Sequence, residues 1–125
     1  MSLDDPERLK ELFSAFGPIS IRRMFSGAGI YAEGTMFALV ADGDLYLKAD
    51  EETIPAFRAV GAGPFAYSAK GRQVVLSYWR LPDRLLDEPE ELAEWARAAL
   101  RAAQRAAANR PPRRKASERR RKLRH

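Results

Sequence analysis

The spacing of apolar residues predicts a helix at the N-terminal end of the chain. Four apolar residues recur there at helical spacing: Leu9, Leu12, Phe13 and Phe16. Residues three and four apart lie on one face of a helix, so this stretch predicts a short amphipathic helix. Asp4 or Asp5 is suited to cap its first turn, and Gly17-Pro18 ends it.

From Ile19 onward the apolar period falls to two, which is typical of β-strands. The predicted strand segments are 19–24, 30–32, 35–40, 45–48, 65–68 and 73–80. Short turn signals separate them, including Glu33-Gly34, Asp42-Gly43 and Lys70-Gly71. Asp-Gly between apolar runs is a strong hairpin signal, so consecutive antiparallel strands, a meander, are predicted. Both faces of segment 73–80 are rather apolar, which predicts a central strand or one covered on both sides.

Two further segments of this middle region have a predicted structure. Residues 53–60 predict a short helix that ends at Gly61. The run Ser26-Gly27-Ala28-Gly29 predicts a turn between strands, in which the glycines supply backbone freedom. A phosphate-binding loop is the weaker interpretation of this run, because the Walker lysine is absent and a strand follows where a helix should begin.

The C-terminal helix has the strongest pattern in the sequence. Asp87 is predicted to cap it, and Glu90, three residues later, gives the spacing of a capping box. The apolar face consists of Leu92, Trp95, Ala96, Ala99, Leu100 and Ala103. Trp95 is expected to bury more surface than any other single side chain, so Trp95→Ala should lower the free energy of unfolding by about 3–5 kcal/mol. The helix is predicted to run through Arg105 and to stop before Pro111-Pro112.

These elements predict an α+β fold: an antiparallel meander sheet of about five to six strands, with an N-terminal helix and a long C-terminal helix packed on it. A disordered basic tail is predicted after them. The expected division is a folded domain over residues 1–108 and the tail over residues 109–125. The domain is expected to fold without the tail, which has Leu123 as its only large apolar residue.

Charge is distributed very unevenly along the chain. The chain has 22 basic and 17 acidic residues, and nine of the basic residues fall in its last sixteen positions beside one acid. These cations are Arg110, Arg113, Arg114, Lys115, Arg119, Arg120, Arg121, Lys122 and Arg124. Dense and unopposed positive charge favours contact with a polyanion, so the tail is predicted to bind nucleic acid with little sequence preference. An anionic membrane surface is the other polyanion that such a segment suits.

Composition removes several classes of chemistry. The chain has no cysteine, and its one histidine is the final residue, His125. Thiol nucleophiles, cysteine-ligated metals, catalytic triads and histidine-based acid–base catalysis are therefore not expected. Carboxylate pairs such as Asp42/Asp44 and Glu51/Glu52 fall in turns or first helical turns, where acids are common for capping. The protein is expected to be non-enzymatic, without a metal or cofactor.

The sequence also predicts a location. The first residues lack a basic and then apolar signal segment, and no stretch approaches eighteen consecutive apolar residues. Residue 2 is Ser and no cysteine exists to modify, so neither a membrane span nor a lipid anchor is expected. A cytoplasmic protein is predicted.

Aromatic and basic residues are mixed along the predicted strands: Arg22, Arg23, Tyr46, Lys48, Tyr78, Trp79 and Arg80. Such a mixture occurs in platforms that stack nucleic-acid bases, but a half-buried sheet whose aromatic residues pack under helices is the favoured interpretation. Five of these residues are predicted to form a partner surface: Arg22, Arg23, Tyr46, Lys48 and Trp79.

The stretch Arg22 to Tyr31, RRMFSGAGIY, resembles the N-terminal domain of the TfoX (Sxy) family of bacterial competence regulators. Similar stretches continue at residues 36–42, 45–48, 64–67, 76–79 and 91–97, so the resemblance covers about residues 5–105 in order. Ser26 stands where the family usually has glycine. The resemblance implies an α+β fold, a role in transcription of competence genes, a homodimer by fold analogy, and no catalytic residue. Full-length family members carry a second, helical domain, where this sequence has its basic tail.

Taken together, the sequence predicts a non-enzymatic regulatory or interaction module with a protein partner, a second copy of itself, or both. The alternative is a small-molecule sensor or an unrecognised enzyme that uses the aromatic face of the sheet. A deep pocket lined by Tyr46, Tyr78 or Trp79, with buried polar groups, would favour that alternative.

Overall fold

The computed structural model describes residues 5–24 and 27–109, and they form one sheet with helices packed on it. The strands are β1 (Ser20–Met24), β2 (Gly27–Ala32), β3 (Thr35–Ala41), β4 (Asp44–Lys48), β5 (Pro64–Ala69) and β6 (Arg72–Arg80). The helices are α1 (Pro6–Leu12), α2 (Ile54–Ala59) and α3 (Pro89–Asn109), with a 3-10 helix at Asp83–Asp87. The α+β class, the antiparallel sheet and the two packed terminal helices are confirmed. The predicted tail lies outside the described residues.

The sheet has six strands in the order β1-β2-β3-β4-β6-β5, and every neighbouring pair is antiparallel. The first four strands follow the predicted meander. The order then departs from a strict meander, because β6 rather than β5 lies beside β4. Helix α2 separates β4 from β5 along the chain, so the last hairpin joins the sheet through its second strand and leaves β5 at the edge.

Three of the hairpins share one turn geometry. Glu33-Gly34, Asp42-Gly43 and Lys70-Gly71 each join paired strands, and both residues of each turn have positive φ. Positive φ at both central residues defines the type I′ turn, whose twist matches that of the strands. Glycine takes the second position at φ values of 77°, 81° and 74°. The three predicted turns are confirmed.

The helices bury their apolar sides in one cluster on a single face of the sheet. Helix α3 lies over β3 and β4, and α2 contacts β6. The fully buried core includes Phe13, Phe37, Leu47 and Leu92. The Phe13 and Phe37 rings meet edge to face, with centroids 5.6 Å apart. No helix among the described residues is long and apolar enough to cross a membrane.

Several local predictions about the helices are wrong. Helix α1 ends at Leu12, and residues 13–16 form turns closed by hydrogen bonds such as Phe16 N–H to the Phe13 carbonyl. Asp87 belongs to the 3-10 helix and does not cap α3, which begins at Pro89, a residue suited to a first turn. The capping box with Glu90 is therefore absent. The predicted end of the helix is confirmed, because α3 runs through Arg105 and ends at Asn109, before Pro111-Pro112.

One prediction about burial and one about glycines are also wrong. Trp95 is only half-buried, because it lies at the margin of the core against Phe57, and the largest fully buried side chains are Phe13 and Phe37. Strand β6 lies inside the sheet between β4 and β5, so the prediction of a central strand is confirmed, although its side chains are not covered on both sides and Val75 is 59% exposed. Gly27 lies within β2 rather than in a turn.

Asp50 joins the segment before α2 to the last turns of α3. Its Oδ1 accepts hydrogen bonds from the backbone N–H groups of Glu52 and Thr53, at 3.1 and 3.3 Å. Arg105 donates to the same carboxylate from Nε to Oδ2 at 2.7 Å and from Nη2 to Oδ1 at 3.1 Å. The hydrogen bonds from Arg105 are the main reason that the pKa of Asp50 lies below its ordinary value.

We expect Asp50→Asn to lower the free energy of unfolding at pH 7 by about 1–2 kcal/mol, since the side-chain hydrogen bonds of the turn before α2 and a charge-assisted contact are both weakened. The lowered pKa means that the carboxylate stabilises the fold above its unfolded-state pKa, near 4, and loses that effect as pH falls through its folded-state value. The gap between wild type and variant should therefore close in acid.

Urea unfolding of both proteins from pH 7 down to pH 3 measures this gap. Glu51→Gln is the matched control, because it removes a neighbouring exposed carboxylate and should change stability by less than about 0.5 kcal/mol. A gap that is constant with pH would contradict the assigned role of the Asp50 charge.

Candidate functional site

The face of the sheet opposite the helices is the candidate site, and we term it the open face. In β4, Leu45 and Leu47 are buried under the helices, so the alternating Tyr46 and Lys48 point to the other side. Strand pairing then extends the face to its neighbours. Its main side chains are Arg22, Tyr31, Tyr46, Lys48, Phe65, Tyr67, Tyr78 and Arg80.

Two cations of the open face lie over aromatic rings. The Arg22 guanidinium carbon lies 5.1 Å from the centroid of Tyr31, and the Lys48 ammonium lies 5.3 Å from that of Tyr78. Lys48 also donates a hydrogen bond to the Ser77 hydroxyl. These distances are within the range of cation–π attraction, so the rings hold the charged groups close to the sheet surface.

A row of aromatic rings runs from β4 towards the β5 edge. The Tyr46 and Phe65 centroids are 4.8 Å apart, and those of Phe65 and Tyr67 are 5.9 Å apart. Phe65 and Tyr67 belong to the edge strand, so the row crosses over β6. Tyr67 is 44% exposed, which leaves the outer end of the row accessible to solvent.

An ion-pair network borders this row. Arg80 Nη2 lies 3.0 Å from Asp44 Oδ1 and 3.3 Å from Asp83 Oδ1. The hydrogen bond to Asp44 is the main reason that the pKa of Arg80 is raised. Burial, followed by the charge of Asp44, raises the pKa of the Tyr46 phenol. Tyr46 therefore keeps its proton at neutral pH and has a hydroxyl able to donate a hydrogen bond.

The open face is chemically suited to binding. Its cations lie over rings or pair with neighbouring carboxylates. Across residues 5–24 and 27–109, no group of three His, Cys, Asp or Glu side chains lies close enough to hold a metal ion. The arrangement offers aromatic contact area, fixed cations and hydroxyl donors to a bound molecule.

The predicted partner residues fall on different sides of the sheet. Arg22 and Tyr46 lie on the open face. Lys48 pairs with Tyr78 at the end of this face, and its side chain also borders a cavity lined by Phe57 and Trp95 on the helix side. Arg23 pairs with Ala28 and lies on the other side of the edge strand β1. Trp79 is only 8% exposed and packs 6.0 Å from Phe57 under the helices, so it is not part of a surface.

Sequence reasoning missed Phe65 and Tyr67 as members of the site. The strand that holds them was predicted, but their position beside Tyr46 depends on a register shift between Pro64 and Ala66 that no local signal shows. The nine cations predicted to bind nucleic acid, Arg110 to Arg124, lie outside the described residues.

Comparison with protein families matches residues 11–103 to the TfoX N-terminal domain. Among curated proteins, the chain is similar to Protein Sxy of Escherichia coli strain K12, with 32% identity over 96 residues, 75% of this chain and 45% of that protein. It is also similar to DNA transformation protein TfoX1 of Aliivibrio fischeri, with 29% identity over 94 residues and the same two shares. The chain thus spans about half the length of these curated relatives. Because the family match extends over most of its length, the chain belongs to the TfoX N-terminal domain family.

Proposed function

We propose that this chain is a non-enzymatic, cytoplasmic regulatory module that acts in the control of DNA uptake by contacting a protein partner through its open face. The name of the relative DNA transformation protein TfoX1 and the membership of the TfoX N-terminal domain family support a setting in DNA transformation. The observation that carries the proposal is the open face itself. Aromatic rings and ordered cations cover it, and none of the described helices packs on it.

The composition of the open face favours a protein partner. Tyrosine, phenylalanine and arginine are enriched at the centres of protein interfaces, where rigid aromatic rings supply contact area. The charges of Lys48 and Arg80 are already balanced or held by neighbours within the face. A partner can therefore cover the rings without leaving a buried charge unpaired.

A cell-based comparison of two adjacent arginines tests this function. In the bacterium that encodes the chain, we expect deletion to lower transformation frequency and the transcripts of DNA-uptake genes. Wild type should restore both, and Arg22→Glu on the open face should not. Arg23→Glu is the matched control, because it makes the same charge change one residue away on the opposite side of β1. Equal behaviour of the two variants, with matching melting temperatures, would refute the open face as the contact.

The basic segment 110–125 is proposed to add affinity for nucleic acid. Its nine cations face one acid, and positive charge of this density binds phosphates by releasing counterions. Such contacts position a protein on the polymer without reading bases. The open face and this segment would then give one module two kinds of contact.

We expect the full chain to bind duplex DNA with a strong salt dependence. If about five cations touch phosphate, log K should fall with log salt at a slope near −4.5. Fluorescence anisotropy with labelled DNA at several salt concentrations measures the slope. Serine at Arg113, Arg114, Lys115, Arg119, Arg120 and Arg121 should remove most of the binding and leave the thermal melt unchanged. Binding that survives these replacements would show that the domain makes the contact.

The sensor or enzyme alternative draws no support from the described residues. It needs buried polar groups that orient a ligand. No polar or charged side chain is buried in the part of the chain that the structure describes. Trp79, one of the residues expected to line such a pocket, lies under the helices.

A further inference from the structure

The hairpin of β5 and β6 extends past the end of β4. Strand β4 pairs with β6 only from Tyr46 opposite Arg80 to Lys48 opposite Tyr78. Strands β5 and β6 continue to pair as far as Ala69 opposite Arg72. Residues 65–76 therefore form an arm of the sheet. In the outer half of this arm, β5 and β6 pair only with each other.

The exposed apolar side chains of the domain concentrate around this arm. Among the described residues, three large hydrophobic side chains are exposed: Val60 at 43%, Tyr67 at 44% and Val75 at 59%. Tyr67 and Val75 belong to the arm, and Val60 follows α2 just before β5. Tyr67 is the one of the three that lies on the edge strand β5, whereas Val75 lies on the interior strand β6 and faces the other side of the sheet. An exposed aromatic residue on an edge strand without charge marks a place where another chain can pair.

The two edges of the sheet differ in charge. The edge strand β1 carries Arg22 and Arg23, and charged side chains discourage the pairing of an edge with another chain. The edge strand β5 has the sequence PFAYSA and no charged residue. The sheet is therefore protected at β1 and open to strand addition at β5.

We propose that β5 pairs antiparallel with β5 of a second copy of this chain, around a two-fold axis at Tyr67. In a continuous sheet with such an axis, one residue must face its own copy. Placing the axis at Tyr67 pairs Phe65 with Ala69 of the second copy, and Ala66 with Ser68. Pro64, which has no N–H for the ladder, is then left outside the paired segment.

This register also matches large side chains with small ones and separates like charges. Phe65 faces an alanine, and the two exposed Tyr67 rings cover each other. The charged residues of the arm lie at its tip: Lys70 in the turn and Arg72 directly after it. Lys70 would lie opposite Pro64 of the second copy, so the two lysines would be about 20 Å apart. That separation is beyond the screening length of about 8–10 Å, and repulsion is weak.

The pairing would join the open faces of the two copies. Phe65 and Tyr67 are the outer end of the aromatic row that starts at Tyr46. A two-fold axis perpendicular to the sheet keeps both rows on the same side, so one row would continue into the other. The inference rests on the proposed function only in treating the open face as a binding surface, since dimer formation is measured without any partner.

Light scattering after size exclusion, with the purified full chain at micromolar concentrations, tests the pairing. We expect the mass of a dimer for wild type and the mass of a monomer for Tyr67→Lys, which sets two cations against each other at the axis. Tyr67→Glu should also be a monomer. An equimolar mixture of the two variants should recover the dimer, because opposite charges then meet. Ser20→Lys, which adds the same charge to the β1 edge, should remain a dimer.

A cross-linking experiment covers the case in which a charged variant fails to fold. Because the chain has no cysteine, Tyr67→Cys creates a single thiol that oxidation should convert to a covalent dimer. Ser20→Cys is the control and should stay uncross-linked. Wild type that is monomeric throughout, a dimer that survives Tyr67→Lys, or a mixture that stays monomeric would each overturn the proposal. Failure here leaves the Arg22 and Arg23 comparison unaffected, and the reverse also holds.

Discussion

The Phe37→Ala variant is expected to lose about 3–5 kcal/mol of unfolding free energy. Phe37 is fully buried, and its ring contacts Phe13 at 5.6 Å and Phe16 at 5.0 Å between centroids. The register shift between Ile30 and Tyr31 leaves Phe37 as an extra residue in β3, and both it and Ala38 are fully buried. Truncation would leave a cavity beside the two remaining rings of Phe13 and Phe16, which rigid strands on one side cannot close.

Urea unfolding of Phe37→Ala beside Trp95→Ala measures this effect and its rank. Trp95 is larger but only half-buried, so its loss should be smaller than that of Phe37. The burial of the two side chains thus predicts the opposite order of stability losses from the one that side-chain size alone would predict. A larger loss for Trp95→Ala would mean that α3 packs more tightly on the sheet margin than the described burial indicates.

The Gly27→Ala variant is expected to lose about 3 kcal/mol or more of unfolding free energy. A Cβ at Gly27 would lie 1.8 Å from the carbonyl oxygen of Val40 and 2.9 Å from its carbonyl carbon. Both atoms belong to the backbone of the paired strand β3, so no side chain can rotate away. Relief requires β2 and β3 to separate, which weakens their hydrogen bonds.

Gly29→Ala is the matched control two residues along the same strand. Its Cβ would meet the Met36 Sδ at 3.1 Å and the Tyr31 ring at 3.3 Å. The flexible Met36 side chain can shift, so the loss should stay below about 1 kcal/mol. Thermal melts followed by circular dichroism compare the two variants. Equal losses would indicate that general strand propensity, rather than the close approach to Val40, governs both positions.

The difference between these glycines shows what the sequence could not predict. The turns at Glu33-Gly34 and Lys70-Gly71 were predictable, because the residues that adopt positive φ are the ones that form the turn. The need for glycine at position 27 arises from Val40, thirteen residues away, whose carbonyl approaches it only after β2 and β3 pair. The placement of β5 at the sheet edge is non-local in the same way.

The candidate site was predictable to a similar extent. Period-two alternation correctly puts Tyr46 and Lys48 on one face, since each is one residue away from a buried leucine. It could not assign Trp79 to a face, because both faces of β6 are rather apolar. The face that becomes covered is the one on which α2 packs. The start of α3 was missed for a local reason: Asp87 and Pro89 are both good helix-start signals, and the chain uses the second.

The position of α3 at the end of the folded elements has a consequence during synthesis. Strands β3 and β4 are complete by Lys48, but the helix that lies over them ends at Asn109, roughly 60 residues later. At about 5–20 residues per second, a ribosome takes about 3–12 s to make that stretch. During this interval the apolar side of the first hairpins lacks its principal cover and is exposed to aggregation or to chaperones. Substitutions in α3 should therefore reduce the yield of soluble protein in cells more than their effect on equilibrium stability alone would indicate.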